Sequence, residues 1–212
     1  MISSDNKKIM VLGSSGMLGS IVFDFFKTRG YDITANKYRW PSESFKAEVI
    51  DFDGVIINCA GAIPQQNPKD YFINFDLPSF LAENGKKTIQ PCTDCIYDGD
   101  ISPGEFYKIG FPPNAIDDYG YSKRLFAEVA SKVNDPNIKI IRASIIGFDK
   151  NEVSLLSWFL KHSKHNPNCS GYTNHFWNGI TTLQWARIAA HVVEYWDKYP
   201  NLTVAATEPI SK

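Results

Sequence analysis

A tyrosine and a lysine one helical turn apart are the residues of this sequence best suited to proton transfer. In the segment DDYGYSK, Tyr119 lies four residues before Lys123, so a helix would carry both side chains on one face, whereas Tyr121 would point elsewhere. A free phenol titrates near pH ~10, and a neighbouring ammonium is expected to lower that pKa. Such a pair can give a proton to a carbonyl oxygen while a hydride reaches its carbon. The same spacing is also typical of a surface pair on a helix.

Three glycines form a second candidate site near the start of the chain. Gly13, Gly16 and Gly19 have the spacing G-x-x-G-x-x-G and join a short apolar run to a helical pattern. Glycines let a backbone approach a pyrophosphate, whose charge is stabilised by the N-terminus of a helix. This position between a strand and a helix favours dinucleotide binding, and a tightly packed structural turn is the alternative.

The segment that ends the second predicted strand indicates which dinucleotide would bind. An acidic residue there would favour NAD, but this chain has Asn36, Lys37 and Arg39. A guanidinium or an ammonium matches a ribose 2′-phosphate. The sequence therefore predicts NADP(H) rather than NAD(H), with a solvated basic loop as the alternative.

Strand and helix patterns alternate through the first 150 residues, which predicts a Rossmann-type doubly wound parallel α/β sheet. Ligands of such sheets bind at the carboxyl ends of the strands. Pro78 predicts a kink or a break in the helix over 69–85. Two long stretches, 98–118 and 149–178, are interpreted as substrate loops. We expect a cofactor domain over 1–148, with a helix over 181–199 packing back on it, and a small substrate lobe over 149–180 and 201–212.

The composition excludes several other classes of protein. The 212 residues carry a formal net charge of −1, which gives no electrostatic footprint for nucleic acid or for an anionic membrane. No apolar run approaches the ~18 residues of a membrane span, and the N-terminus has no signal-peptide pattern. Four cysteines in a chain of this size indicate a reduced, cytoplasmic protein. His162 and His165 have no Glu or Cys placed to complete a zinc set, so no metal site is predicted.

The stretch QPCTDC contains a Cys-x-x-Cys spacing, Cys92 and Cys95. A catalytic dithiol prefers the start of a helix, where the thiolate is stabilised. These cysteines instead follow a predicted buried strand, and no second pair completes a zinc site. The residue between them, Thr93, is the stronger candidate, because it falls where a ligand of the sheet would lie.

Several motifs occur in one order along the chain: the glycine turn, NCAGA after the third apolar strand, CTD after the next, Tyr119-x-x-x-Lys123, and IIRASIIG. This set resembles the extended short-chain dehydrogenase/reductase family. Within that family the chain is similar to the dTDP-4-dehydrorhamnose reductase group of sugar-nucleotide reductases. The later segments GYTNHFWNGITTLQWARIA and EPISK add to this similarity, which runs from about Lys7 to the last residue.

The resemblance implies an NADPH-dependent reductase of a nucleotide-linked 4-keto-6-deoxyhexose. Thr93 would hydrogen-bond the reacting carbonyl, Tyr119 would be the acid, and Lys123 would tune Tyr119 and hold the nicotinamide ribose. The cofactor would be bound by Gly13, Gly16, Met17, Leu18, Gly19, Asn36, Lys37, Arg39, Ala60, Gly61, Ala62, Tyr119 and Lys123. The sugar nucleotide would be bound by Asp94, Tyr97, Tyr172, Asn174 and Trp177, with Asp98, His175 and Asn178 nearby.

The chain departs from the family pattern at three places. Cys92 stands where the family has a serine, and the segment between the second and third strands is short, so we expect a reduced strand or crossover there. The chain ends at TEPISK, whereas family members continue through further helices, so the substrate lobe is expected to be incomplete. Two other functions stay open: an epimerase or dehydratase, and a non-catalytic NADP-binding subunit. A homodimer is also possible.

Overall fold

A parallel sheet of six strands forms the centre of the molecule. The computed structural model describes residues 7–64, 70–102, 104–149, 152, 154–165 and 170–211, apart from the side chains of residues 131 and 165. In chain order the elements are β1 (Lys8–Leu12), α1 (Met17–Thr28), β2 (Asp32–Ala35), α2 (Glu43–Asp51), β3 (Val55–Asn58), α3 (Ile73–Glu83), β4 (Thr88–Cys92), α4 (Asp118–Val133), β5 (Ile138–Arg142), β6 (Ile145–Ile146), α5 (Leu155–His165), β7 (Phe176–Trp177), β8 (Ile180–Thr181), α6 (Thr182–Glu194), β9 (Leu202–Val204) and β10 (Ile210–Ser211).

The strand order across this sheet is β2-β1-β3-β4-β5-β9, and every neighbouring pair is parallel. The order reverses direction between β1 and β3, which is where doubly wound sheets bind their ligands. The predicted Rossmann-type fold is therefore confirmed. Between β2 and β3 the chain forms only α2, so the expected reduced crossover is also found.

The two faces of the sheet carry separate cores because the side chains of each strand alternate. Ile9 and Val11 point to the face covered by α1 and α6, where Trp185 is fully buried. Met10 and Leu12 point to the opposite face, where they pack with α2 and α3. Because helices cover both faces of the sheet, the carboxyl ends of the strands are the part of the sheet that stays open to a ligand.

The break predicted at Pro78 is wrong, since α3 runs through it from Ile73 to Glu83. A proline inside a helix removes one hydrogen bond to the carbonyl four residues earlier. Pro78 is itself buried between Leu77 and Leu81, which are also buried. The packing of this face against the sheet outweighs the lost hydrogen bond.

The prediction of one long loop over 149–178 is wrong in part, because α5 and β7 lie within it. The Ser154 hydroxyl accepts a hydrogen bond from the Ser157 N–H at 3.3 Å and so caps the start of α5. Most apolar side chains of α5 are exposed, including Leu155 and Trp158. The helix therefore has little buried face among the described residues.

Two short strand pairs accompany the main sheet: β6 pairs with β8 in parallel and β7 with β10 in antiparallel. The β7–β10 pair lies in the region predicted as the substrate lobe, whereas β6 falls within the predicted cofactor domain. The division of the chain into two domains stays a prediction. The side chain of His165 and the whole of Cys169 lie outside the described residues. In the part of the chain that the structure covers, no helix is long and apolar enough to cross a membrane.

Candidate active site

The glycine turn between β1 and α1 leaves no room for a side chain at Gly13 or Gly19. Gly13 has φ +71°, and a Cβ there would lie 2.8 Å from the backbone of Ala60. A Cβ on Gly19 would lie 2.1 Å from the carbonyl oxygen of Gly13. Gly16 begins α1 without a side-chain cap, so the first N–H groups of the helix are available to an anion. The Leu18 side chain is buried in the core, and only its backbone belongs to the turn.

Gly19→Ala is expected to abolish dinucleotide binding, because the added methyl group collides with the turn itself. Overpacking of this kind costs about 1–3 kcal/mol of stability. Isothermal titration with NADPH and thermal melts measure the two effects. Gly110→Ala is the matched control, since a Cβ there meets nothing within 4 Å. Unchanged NADPH affinity in Gly19→Ala would contradict this account of the turn.

Asn36 ties the end of β2 to the glycine turn. Its Oδ1 accepts a hydrogen bond from the Gly13 N–H at 3.2 Å, and its Nδ2 donates to the Tyr38 carbonyl at 2.6 Å. Lys37 and Arg39 are exposed, and neither side chain forms an ion pair with another described residue. Asn36 thus shapes the backbone, while the two cations remain available to a ligand.

The segment 60–62 follows the carboxyl end of β3. A Cβ on Gly61 would lie 2.7 Å from Asn74 Oδ1 and 3.2 Å from Lys123 Nζ. The buried Asn74 holds this segment: its Oδ1 accepts from the Ala62 N–H and its Nδ2 donates to the Ala62 carbonyl, both at 3.0 Å. The backbone of Gly61 therefore lies directly against the ammonium of Lys123.

Thr93 follows the last residue of β4 and begins a 3-10 turn over Asp94–Ile96. Its hydroxyl accepts a hydrogen bond from the Cys95 N–H and donates to Asp94 Oδ1, both at 3.1 Å. These two bonds fix the hydroxyl at the carboxyl end of a central strand, where the sequence predicts it.

Helix α4 carries Tyr119 and Lys123 to the same place. Asp117 caps its N-terminus by accepting from the Gly120 N–H at 2.9 Å. Gly120 packs so closely on the Cys95 carbonyl that a Cβ would lie 2.3 Å from that oxygen. The Thr93 hydroxyl is close enough to the Tyr119 phenol to affect its pKa. The fold therefore brings Thr93, at the end of β4, near Tyr119 of α4, a residue 26 positions later in the sequence.

The expected lowering of the Tyr119 pKa by Lys123 is wrong. Burial of the phenol raises the pKa of Tyr119 above its usual value, and the nearby Cys95, Cys92 and Asp94 act in the same direction, while Thr93 opposes them. Desolvation disfavours a charged phenolate. Tyr119 is therefore protonated at neutral pH and is ready to act as an acid.

Lys123 occupies a largely dehydrated position beside Gly61. Burial lowers the pKa of its ammonium, while Cys92 and Cys59 act in the opposite direction. Its ammonium makes no hydrogen bond or ion pair with another residue of the described ranges. A cation in this position fits a ligand with hydroxyl oxygens, such as the ribose of a dinucleotide.

The matches with known proteins agree with this arrangement. The family described as RmlD substrate binding domain matches residues 7–205, nearly the whole chain. The chain belongs to this family. The RmlD family is one of NAD(P)-dependent sugar-nucleotide enzymes of the extended short-chain dehydrogenase/reductase type. The recognition made from the sequence and the enzyme class, an NAD(P)-dependent oxidoreductase, are thus confirmed. No curated protein matches this chain in sequence.

Solved structures show the same fold at low sequence identity. A dTDP-4-dehydrorhamnose reductase from Bacillus anthracis, in complex with NADP, has a TM-score of 0.81 at 19% identity, covering 97% of this chain and 76% of its own. The Clostridium acetobutylicum reductase of the same name has a TM-score of 0.75 at 17% identity, covering 96% and 76%. A Thermus thermophilus UDP-glucose 4-epimerase, in complex with NAD, has a TM-score of 0.71 at 15% identity, covering 96% and 79%.

Tyr97, which is predicted to hold the sugar nucleotide, and the neighbouring Asp98 both bind other side chains of this RmlD-family chain. Tyr97 accepts a hydrogen bond from Arg142 Nη1 at 2.7 Å, and its ring stacks on Tyr107 with centroids 4.3 Å apart. Asp98 accepts from the Tyr107 hydroxyl at 2.6 Å and from Asn114 Nδ2 at 2.7 Å. Both side chains therefore already have partners within the protein. Their contact with substrate stays a prediction.

The other predicted substrate residues lie in the segment 172–177, which contains β7. Tyr172 is exposed and stacks on His175 with ring centroids 4.7 Å apart, and Asn174 is also exposed. Trp177 instead donates from Nε1 to the Ser144 hydroxyl at 2.7 Å. Tyr172 and Asn174 remain free to meet a sugar, whereas Trp177 already has an internal partner.

Sequence reasoning missed the residues that hold Tyr119 and Lys123, the candidate catalytic pair of this RmlD-family chain. Asn74 Nδ2 also donates to the Ser122 hydroxyl at 3.0 Å, and that hydroxyl donates to the Tyr119 carbonyl at 2.7 Å. Arg142, at the end of β5, is buried and fixes Tyr97. A buried asparagine inside an apolar helical run, such as INFDL, is the signal that could have identified Asn74.

Three cysteines, Cys59, Cys92 and Cys95, lie near this site. Cys92 is buried at the end of β4, whereas Cys95 is exposed. Burial raises the pKa of the Cys59 thiol. Among the described residues, no group of three or more His, Cys, Asp or Glu side chains could hold a metal ion.

Proposed function

We propose that this protein reduces the ketone of a nucleotide-linked 4-keto-6-deoxyhexose with NADPH. The observation that carries the proposal is that Thr93 lies near the Tyr119 phenol, while Lys123, one turn further along α4, lies beside the backbone of Gly61. An acid and a second hydrogen-bonding hydroxyl next to a dinucleotide cleft are what carbonyl reduction requires.

The residues at the carboxyl ends of the strands fit a bound dinucleotide. The glycine turn and the uncapped start of α1 would hold the pyrophosphate, and Lys123 would hold the ribose of the nicotinamide half. Arg39, with Lys37 as the alternative, would meet the 2′-phosphate of the other half. When bound, NADPH supplies the hydride.

The protein's own groups would act on the ketone oxygen. Thr93 and Tyr119 would both donate hydrogen bonds to it, which stabilises the negative charge that develops during reduction. Tyr119 would then transfer its proton to that oxygen. Tyr119 is protonated over the whole neutral range, as a proton donor must be, although its raised pKa makes it a weaker acid than a free phenol. Lys123 would orient the cofactor and balance the charge that proton transfer leaves on Tyr119.

The substrate class rests on the family match and on the polar, aromatic lobe. Tyr172 and Asn174 are exposed where a sugar or a nucleotide base would approach, and aromatic faces and amide groups suit an uncharged sugar ring. The test is turnover of NADPH, followed by absorbance, with a panel of nucleotide 4-keto-6-deoxysugars that includes dTDP-4-keto-L-rhamnose. NADPH binding without turnover on every member would favour a non-catalytic NADP-binding subunit instead.

Arg39→Ala is expected to weaken NADPH binding by about tenfold or more, since a charge-assisted hydrogen bond contributes about 1.5–3 kcal/mol. NADH, which lacks the 2′-phosphate, should bind the variant and the parent protein equally. Titration calorimetry measures both affinities. Arg29→Ala is the matched control, because Arg29 is also exposed but lies at the far end of α1 over the Phe25 ring. Equal affinities of the parent protein for NADPH and NADH would overturn the NADP assignment.

A further inference from the structure

The loop over 97–114 joins the two elements that carry the candidate catalytic hydroxyls. It leaves the 3-10 turn that Thr93 begins, and helix α4, which carries Tyr119, follows it. Its two ends meet, because the Ile96 carbonyl accepts a hydrogen bond from the Asn114 N–H at 3.0 Å. Loops whose ends are close are held by the packing of their own side chains. The position of Tyr119 relative to Thr93 therefore depends on how this loop is held.

Tyr97 contacts two further aromatic rings of this loop. Its ring stacks on Tyr107 at an interplanar angle of 8°, and the Phe111 ring meets both edge-on, with centroids 6.1 Å from Tyr97 and 5.1 Å from Tyr107. The Tyr97 hydroxyl also donates to the Phe111 carbonyl at 3.4 Å. Stacked and edge-on aromatic pairs attract each other. A change in the orientation of Tyr97 would therefore disturb the contacts of both other rings.

Arg142 connects this loop to the main sheet. It is the last residue of β5 and pairs in register with Cys92, the residue before Thr93. Arg142 is only 8% exposed. Its Nη1 donates to the Tyr97 hydroxyl at 2.7 Å, and its guanidinium carbon lies 5.6 Å from the centroid of the Tyr97 ring. One buried side chain of the sheet thus contacts both the hydroxyl and the ring of Tyr97.

The surroundings of Arg142 do not suit a role in stability alone. Its Nε is buried and has no hydrogen-bond partner within the described ranges, and none of the ion pairs between described residues includes Arg142. A buried cation without a carboxylate costs free energy, and apolar side chains of similar volume often replace buried charges without loss of stability. What an apolar side chain could not supply at this position is the hydrogen bond to Tyr97.

We propose that Arg142 is a positioning residue for the reduction. Through the Tyr97 hydroxyl it holds the 97–114 loop, and thereby the start of α4, so that Tyr119 stays near Thr93. The inference rests on the proposed function, because it concerns the geometry of that reaction. It gives the Tyr97 hydroxyl a role within the protein, whereas the sequence predicts a contact of Tyr97 with the sugar.

Tyr97→Phe tests the inference by the loss of a single oxygen atom. The ring keeps its stacking on Tyr107, so the variant should fold as the parent does. We expect the kcat with a nucleotide 4-keto-6-deoxysugar to fall about tenfold or more, because small displacements of reacting groups are costly. The affinity for NADPH and the calorimetric stoichiometry of NADPH binding should both stay within about twofold of the parent values. A partly unfolded variant would instead lose NADPH stoichiometry in proportion to kcat, and that result would overturn the inference.

Arg142→Met provides a second measurement and should reproduce the loss in kcat. The double variant should be no slower than the slower single variant, because the two side chains act through one hydrogen bond and their effects are then not additive. Arg187→Met, at an exposed position of α6, is the control and should keep the parent kcat. Parent kcat in Tyr97→Phe, or losses that add in the double variant, would overturn the inference and leave the proposed function standing. Absence of turnover by the parent protein with every sugar of the panel would overturn both.

Discussion

Tyr119→Phe is expected to lower the kcat for ketone reduction by about 10²- to 10⁴-fold, the usual contribution of a positioned acid. The variant keeps the aromatic ring in its half-buried site and removes only the hydroxyl that lies beside Thr93. The affinity for NADPH should change little, so the loss should appear in kcat rather than in cofactor binding. Steady-state kinetics together with NADPH titration measure both quantities.

Tyr121→Phe is the matched control for this prediction. Tyr121 lies on the same helix, is 46% exposed and packs against the Arg124 guanidinium. Its hydroxyl has no place in the proposed chemistry, so Tyr121→Phe should retain the parent kcat. If Tyr119→Phe keeps the parent kcat, Tyr119 is not the acid. If Tyr121→Phe instead lowers kcat strongly, Tyr121 is the acid.

Lys123→Met is expected to reduce activity by a factor on the order of 10² or more, since misplacement of the reacting groups is this costly. The same change should increase thermal stability. Burial disfavours the ammonium and lowers the pKa of Lys123 below its usual value of 10.5, so the folded protein carries this charge at a cost at neutral pH. Methionine keeps the length of the side chain and removes the charge.

The dependence of stability on pH follows from the same shift. Between the folded pKa of Lys123 and 10.5, the unfolded chain binds more protons than the folded one, so stability contributed by this site rises with pH in that window. In Lys123→Met, this increase in stability with pH should be absent. Lys132→Met, at an exposed position of α4, is the control and should leave both stability and activity near those of the parent. A Lys123→Met variant that is less stable at pH 7 would contradict the assignment of a strained, functional ammonium.

The positions of the candidate catalytic residues could be predicted from the sequence because they depend on simple geometry. Tyr119 and Lys123 are four residues apart on a helix with a capping aspartate, and Thr93 directly follows a strand whose neighbours are parallel. The carboxyl ends of parallel strands lie at the same end of the sheet. The parallel arrangement of the strands was also implied by the alternation of strand and helix patterns.

The electrostatics of the site could not be predicted in the same way. The sequence shows that Lys123 is near Tyr119, but not that the phenol is desolvated, and desolvation is what decides the direction of the Tyr119 pKa. Likewise, Tyr97 and Trp177 were reasonable sugar contacts by residue type. Their bonds to Arg142 and Ser144 depend on residues far away in the chain.

A cavity lined by Trp40 and Asp76 could not be predicted for a similar reason. The two residues lie 36 positions apart and share no motif, so nothing in their local sequence indicates that they meet. Helix α5 was missed because the whole stretch over 149–178 was interpreted as a loop, although Leu155–His165 is helical.

The most direct test of the central claim is the transfer of deuterium from NADPH labelled at C4 of its nicotinamide to a nucleotide 4-keto-6-deoxysugar. Mass spectrometry of the product, with each of the two C4 stereoisomers of the labelled cofactor, measures it. The proposed function predicts that one isomer places a single deuterium on C4 of the sugar, and that Tyr119→Phe suppresses this product. Tight NADPH binding with no deuterium in any sugar of the panel would contradict it.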